Sequence, residues 1–135
     1  MIEEIKYNNE TYAYVMKADT HPESTKFYTP KECELQMGIV THDRGYIEPA
    51  HIHKKHKKII MDCIETLHIV YGKTKMNFFT KDGKKVGSIV LNKGDTILLK
   101  SDMGHQLESI EKFKGIKTKQ GPYVSMDEDK EFLRV

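Results

Sequence analysis

Tryptophan is absent from this 135-residue chain, cysteine occurs twice and proline four times, and 22 Lys and Arg nearly balance 20 Asp and Glu. Each scarcity excludes something. Cys33 and Cys63 stand about thirty residues apart with no Cys-x-x-Cys pair, so neither a disulfide framework nor a thiolate zinc site is indicated, and both are expected to be ordinary reduced residues. The longest apolar runs, Ile59-Ile60-Met61 and Ile97-Leu98-Leu99, fall far short of the roughly 20 residues a membrane helix needs. A net charge of +2 spread over interleaved signs lacks the one-sided basic stripe of a nucleic-acid-binding surface. Membrane and nucleic acid are therefore not expected as partners. The start, Met1-Ile2-Glu3-Glu4-Ile5-Lys6, has neither the basic nor the apolar region of a secretory signal, which makes the cytoplasm the expected location.

Length makes one domain over 1–135 the expectation, with enough core to fold without a metal staple. Helix signals are nearly absent before the C-terminus. Short runs of period-two alternation instead recur about every ten residues between Gly, Asn, Asp and Pro, a rhythm that predicts an all-β barrel or sandwich. The predicted strands are Tyr12–Met16, Glu34–Val40, Tyr46–His53, Glu65–Tyr71, Lys75–Thr80, Ser88–Leu91, Thr96–Leu99, Gln106–Glu111 and Lys114–Lys119. Lys81-Asp82-Gly83 and Asn92-Lys93-Gly94-Asp95 predict two hairpins whose turns require positive φ. The tail 124–135 is acidic at its start and is expected to form one helical turn or to fray.

Seven histidines are many for this length, and they are unevenly placed. On an extended strand His51 and His53, at i and i+2, point to one face and offer two nitrogen donors to a divalent transition metal. Strand alternation puts Glu65 on the same face as Leu67, Ile69 and Tyr71, where a carboxylate needs a partner. His105 follows a Ser-Asp-Met-Gly loop at the mouth of a later strand. Three histidines and one carboxylate make a plausible ligand set with room for water or substrate. His68 alternates away from Glu65, and His21, His42 and His56 read as surface residues.

At this point the residues resemble a family. Gly45-x5-His51-x-His53, Glu65-x6-Gly72, and Gly94 leading through Asp102-Met103-Gly104 to His105 look like the two motifs of the cupin superfamily, G-x5-H-x-H-x3–4-E-x6-G and G-x5-P-x-G-x2-H-x3-N. The resemblance implies a double-stranded β-helix, the cupin jelly-roll barrel, with its core over about 34–119 and N-terminal strands within 1–33. It also implies a divalent transition metal (Fe, Mn, Ni or Zn) on His51, His53, Glu65 and His105. Eleven residues, Lys54 to Ile64, separate His53 from Glu65 where the motif has three or four. Asp102 stands where proline is usual, and no Asn follows His105 at the motif's position. With Glu34–Gly38 before the motifs and Lys119–Tyr123 after them, the string is similar to small cupins that accompany bacterial surface-polysaccharide and nucleotide-sugar genes.

That resemblance implies a small carbohydrate or sugar-nucleotide substrate and an isomerase-, epimerase- or dioxygenase-like activity. Two other readings stand beside it: a sugar- or metal-binding module without chemistry, and metal-free isomerisation with His51 and His53 as base and acid. Gln36, as a substitute for Glu65, and Lys119 and Tyr123, beside a Gln-Gly-Pro turn, are candidate substrate-binding residues. Lys54-Lys55-His56-Lys57-Lys58 reads as a solvated loop or as a positive rim that steers an anionic substrate. A homodimer is expected, because a two-fold partner covers a sheet edge that would otherwise stay open.

Overall fold

A computed structural model describes residues 2–135. Its elements, in chain order, are β1 (Ile2–Tyr7), β2 (Glu10–Met16), β3 (Lys26–Phe27), β4 (Gly38–Ile39), β5 (Glu65–Tyr71), β6 (Lys73–Phe79), β7 (Lys85–Asn92), β8 (Thr96–Leu99), β9 (Gly104–Ser109), β10 (Lys114–Lys119) and α1 (Met126–Asp129). The strands form a five-stranded sheet in the order β1-β2-β8-β5-β10, a three-stranded sheet in the order β7-β6-β9, and the small pair β3-β4. Every pairing is antiparallel. The chain is thus all-β, as expected, but its sheets keep open edges and do not close into a barrel. Among the described residues, no helix is long and apolar enough to cross a membrane.

One apolar cluster joins the two larger sheets. Val15 of β2, Leu67 and Ile69 of β5, and Ile97 and Leu99 of β8 meet Met76 and Phe78 of β6 and Leu91 of β7. The opposite face of the five-stranded sheet is buried too: Tyr14, Met16 and Leu98 pack with Ile64 and Met37 under the 28–39 segment. Burial on both faces explains why Ile97-Leu98-Leu99 reads as an unbroken apolar run instead of an alternating one.

Three connections set the topology. Asn8 and Asn9, at φ 51° and 63°, turn β1 into β2, since Asn tolerates the left-handed region that two-residue hairpins require. Gly72, at φ +84°, carries the chain from β5 into β6 and so from one sheet to the other; a Cβ there would lie 2.1 Å from the Lys112 carbonyl oxygen. The Asp82-Gly83 turn joins β6 to β7 as the predicted hairpin.

The second predicted hairpin is corrected. Asn92–Asp95 does turn the chain, with Gly94 at φ +87°, but β7 and β8 belong to different sheets and do not pair. The cause is Asp95, which is buried. Its carboxylate accepts from the Asn92 and Ala18 backbone amides, both at 2.8 Å, and from Lys17 Nζ at 3.0 Å. These bonds tie the turn to the end of β2, so the chain crosses over and inserts β8 between β2 and β5.

Two strand expectations also change. Glu34–Val40 shrinks to Gly38–Ile39, because Gln36 and Glu34 spend their side chains on loop backbone. Tyr46–His53 is not a strand: a turn at Arg44-Gly45 precedes it, Pro49 has no N–H to give a ladder, and every residue from 42 to 61 is exposed. β1 and β3, beyond the predicted set, lie within 1–33, the region assigned N-terminal strands.

Removing the crossover clamp should be costly. Asp95→Ala strands two backbone amides and an ammonium, and is expected to lower unfolding free energy by about 2–4 kcal/mol. Urea denaturation checks this, with Asp82→Ala, in an exposed turn, as a control expected to change stability little.

Candidate functional site

The two candidate ligands that lie on strands come together. Glu65 opens β5 and faces inward with Leu67 and Ile69, all three buried, whereas Tyr71 at the far end of the same strand is exposed. His105 opens the body of β9 opposite Phe78 of β6, on the inner face of the three-stranded sheet. Across the gap between the sheets, His105 Nε2 lies 3.2 Å from Glu65 Oε1. The pair therefore closes one end of the apolar core with a polar contact.

Lys117 completes the cluster. In the β5–β10 register Lys119 is opposite Glu65 and Lys117 opposite Leu67, so both lysines share Glu65's face. Lys117 Nζ donates to Glu65 Oε1 at 3.1 Å. Lys119 turns instead to the tail, where it forms an ion pair with Asp129 of α1 and stands over the Tyr123 ring at 5.8 Å. The Cys63 thiol also donates to Asp129, at 3.4 Å. Ser125 caps α1 by accepting from the Glu128 amide, which holds Asp129 in place.

The electrostatics favour an ionised Glu65. The His105 hydrogen bond, and after it the Lys117 ammonium, hold the carboxyl at about 2 against the opposing effect of burial. An ionised carboxylate can only accept, so in this contact Nε2 of His105 carries the hydrogen and Nδ1 is the ring nitrogen not engaged by Glu65. His105 and Lys117 keep 36% and 44% of their side-chain surface, enough for a small solute to reach both. Two shallow clefts of about 420 and 430 Å3 lie elsewhere, around Tyr12 and Asp102.

The remaining candidates are placed differently. His51 and His53 sit in the exposed 42–61 segment, their rings 5.3 Å apart edge to face, with His51 Nδ1 2.9 Å from its own Pro49 carbonyl oxygen. Without a strand there, the same-face expectation for this pair has no backbone to rest on. Among the described residues no group of three or more His, Cys, Asp or Glu side chains is gathered as a metal cluster. Gln36 spends its amide locally: Nε2 donates to the Pro30 and Cys33 carbonyl oxygens at 2.9 and 2.7 Å, and Oε1 accepts from Thr29 at 3.1 Å. Tyr123 is exposed. His68 points away from Glu65, as expected, and pairs with Thr96 at 2.8 Å. Cys33 and Cys63 are both free thiols.

Sequence reading missed Lys117 and Asp129. The signal for Lys117 is the alternation of β10, in which a lysine two residues before Lys119 must share its face. Asp129 carries no local signal, because only the fold-back of the tail brings it to Cys63 and Lys119. No protein-family model matches the chain, and neither a curated protein nor a solved structure does.

Glu65 links this cluster to acid stability. A carboxyl whose folded value lies below its unfolded one contributes stability that is fully present above about pH 4.5 and is lost as pH falls towards about 2. Glu65→Gln removes the ion pair and that pH dependence together. The variant is expected to lose about 1–3 kcal/mol at pH 7 and to show a flatter stability curve between pH 4.5 and 2, measured by denaturant unfolding across that range.

Proposed function

We propose that Glu65, His105 and Lys117 form a proton-transfer site for a small hydroxylated, carbohydrate-class substrate, with isomerase- or epimerase-like chemistry. One observation carries the reading: a histidine oriented by an ionised carboxylate, with an ammonium beside it, at an accessible end of the sandwich. In this arrangement Nδ1 of His105 takes a proton from the carbon next to a carbonyl. Glu65 offsets the imidazolium charge that results, and Lys117 stabilises the enolate oxygen. Returning the proton to the former carbonyl carbon, while the neighbouring hydroxyl gives its proton to the enolate oxygen and becomes the new carbonyl, gives isomerisation; returning it to the other face of the same carbon gives epimerisation. Neither outcome needs an oxidant.

The jelly-roll reading is part of this proposal. Strands β2-β8-β5-β10 and β7-β6-β9 would supply seven of the eight places in two facing four-stranded sheets, with the eighth at an open edge of the smaller sheet. The carbohydrate class rests on the resemblance to small cupins of polysaccharide gene sets.

A second reading, a divalent metal centre, is favoured by one distance. Two donors bound to one ion at roughly 2.1 Å, at angles between 90° and 110°, are themselves about 3.0–3.4 Å apart, and Glu65 Oε1 and His105 Nε2 are separated by 3.2 Å. These two residues would fit such an ion if it took the place of the Nε2 hydrogen between them. They are only half of a ligand set, because His51 and His53 are not gathered with them.

Deuterium uptake separates the readings. In D2O with a panel of aldo- and keto-sugars, the parent protein is expected to exchange the C–H next to the carbonyl, followed by NMR. His105→Ala should slow the exchange about 100- to 10,000-fold and Lys117→Ala less. Exchange that requires added Mn2+, Ni2+ or Zn2+ and is abolished by chelator would favour the metal centre. No exchange with any sugar, with or without metal, would overturn the enzymatic reading.

A further inference from the structure

We infer that Lys119 and the Cys63 thiol form a subsite for a substrate carboxylate, filled in this structure by the tail's own Asp129, so that the substrate is a sugar acid and the tail is its tethered competitor. The inference rests on the proton-transfer reading for the neighbouring site and deepens it by naming the substrate class. Lys119 lies directly opposite Glu65 in the β5–β10 register and on the same face. Opposed Cβ atoms in such a pair are about 5 Å apart, roughly the width of one sugar ring. Glu65 is already held by His105 and Lys117, and the Lys119 ammonium is turned to Asp129 instead. A cation beside the reacting groups is therefore engaged by an anion from another part of the chain.

That anion belongs to a segment with little else to hold it. α1 is a single turn without a buried residue, and a helix so short is marginal by itself. From residue 121 to 135 only Ser125, Asp129 and Leu133 are not exposed, a spacing of four that turns one side of the tail to the body. Asp129 and Lys119 keep just 14% and 26% of their side-chain surface, so a carboxylate from an otherwise solvated turn is drawn into an enclosed place. It accepts there from Lys119 Nζ and from Cys63 Sγ. A substrate carboxylate offers the same pair of acceptor oxygens to the same donors. The exposed Tyr123 ring, 5.8 Å from the ammonium, gives the C–H side of a sugar a surface to rest on.

Beyond α1 the tail crosses to the other sheet. Leu133 Cδ1 stands against Gly104, next to His105, where a Cβ would lie, and the Arg134 carbonyl oxygen does the same at Gly83. The first anchor, Asp129, is held opposite and two residues before Glu65; the second adjoins His105. Residues 130–132 thus run between the sheets at the end where Glu65 and His105 meet. Four residues reach at most about 14 Å, and packed sheets stand roughly 10 Å apart. A carboxylate that displaces Asp129 frees the first anchor while Leu133 keeps the second, so the strap opens without leaving. A neutral sugar that moved the tail would strand the Lys119 ammonium, whereas a sugar acid replaces the anion it removes; this selects the acid.

Calorimetric titration of the full chain with D-glucuronate and D-glucose, a pair that differs at the carboxylate, tests this. Asp129→Asn keeps the side chain's shape and removes its charge. It should bind glucuronate about tenfold more tightly than the parent, the gain expected if the tail is closed about nine-tenths of the time, and should leave glucose unchanged. Adding Lys119→Met should abolish the gain, and adding Lys119→Arg should keep it. In the parent, saturating glucuronate should speed hydrogen exchange of the Asp129 and Lys130 amides, which donate to the Ser125 and Met126 carbonyl oxygens, at least about tenfold. An Asp129→Asn chain with no gain for glucuronate, or with an equal gain for glucose, overturns the inference, because the ion pair then only fastens the tail. A gain for glucose 6-phosphate and none for glucuronate overturns the carboxylate class. The predicted gain without any C–H exchange in D2O upholds the subsite and removes the proton-transfer reading alone.

Discussion

The buried carboxylate of Asp95 holds the architecture in register. By accepting from the Asn92 and Ala18 amides and from Lys17, it turns what would be a simple hairpin into a crossover between sheets. The crossover puts β8 between β2 and β5, and the β5–β8 register then sets Glu65 opposite Leu99 at the end of the inner face. Without that insertion β5 would keep β10 but lose its neighbour on the other side, and the carboxylate it carries would lose its position against His105. A group at the other end of β8 thus governs the geometry around Glu65, because a buried anion with three donors constrains the arrangement of the chain around it.

The same sandwich explains why a polar cluster is tolerated beside an apolar core. Glu65 would be expensive to bury alone, but it lies between a histidine from one sheet and a lysine from its own. Its partners come from β9 and β10, the outermost strands of their sheets, so they stay partly solvated while Glu65 does not. The solvated partners keep part of their side chains exposed, and the buried carboxylate fixes their direction. The tail adds a second polar layer, in which α1 presents Asp129 to Lys119 and Cys63 and thereby removes Lys119 from direct contact with Glu65.

The Glu65, His105 and Lys117 cluster lies at one accessible end of the sandwich. Within one chain the cluster brings together an imidazole, a carboxylate and an ammonium. It has two of the four donors implied by the cupin-like motifs. The other two sit on a segment whose backbone is unpaired and whose roots lie on the far side of the five-stranded sheet.

How much was legible in the sequence follows from the range over which each signal acts. Period-two alternation is local, so the strands from Glu65 to Lys119 were readable to within a few residues, as were the positive-φ turns at Gly83 and Gly94 and the inward direction of Glu65. The His-x-His pair carried an equally local signal that the fold did not honour, because alternation describes a strand only when a neighbour supplies the other half of its hydrogen bonds. Which turn is a hairpin and which a crossover, the pairing of Glu65 with His105 and Lys117, and the reach of Asp129 to Lys119 were decided by tertiary structure alone. Each depends on residues tens of positions apart meeting across a sheet or between two sheets, and no spacing along the chain encodes that meeting. The sequence by itself determined the all-β class, the turns at Gly83 and Gly94, and the supply of chemically capable residues; packing around Asp95 and the shared core decided which of them come together.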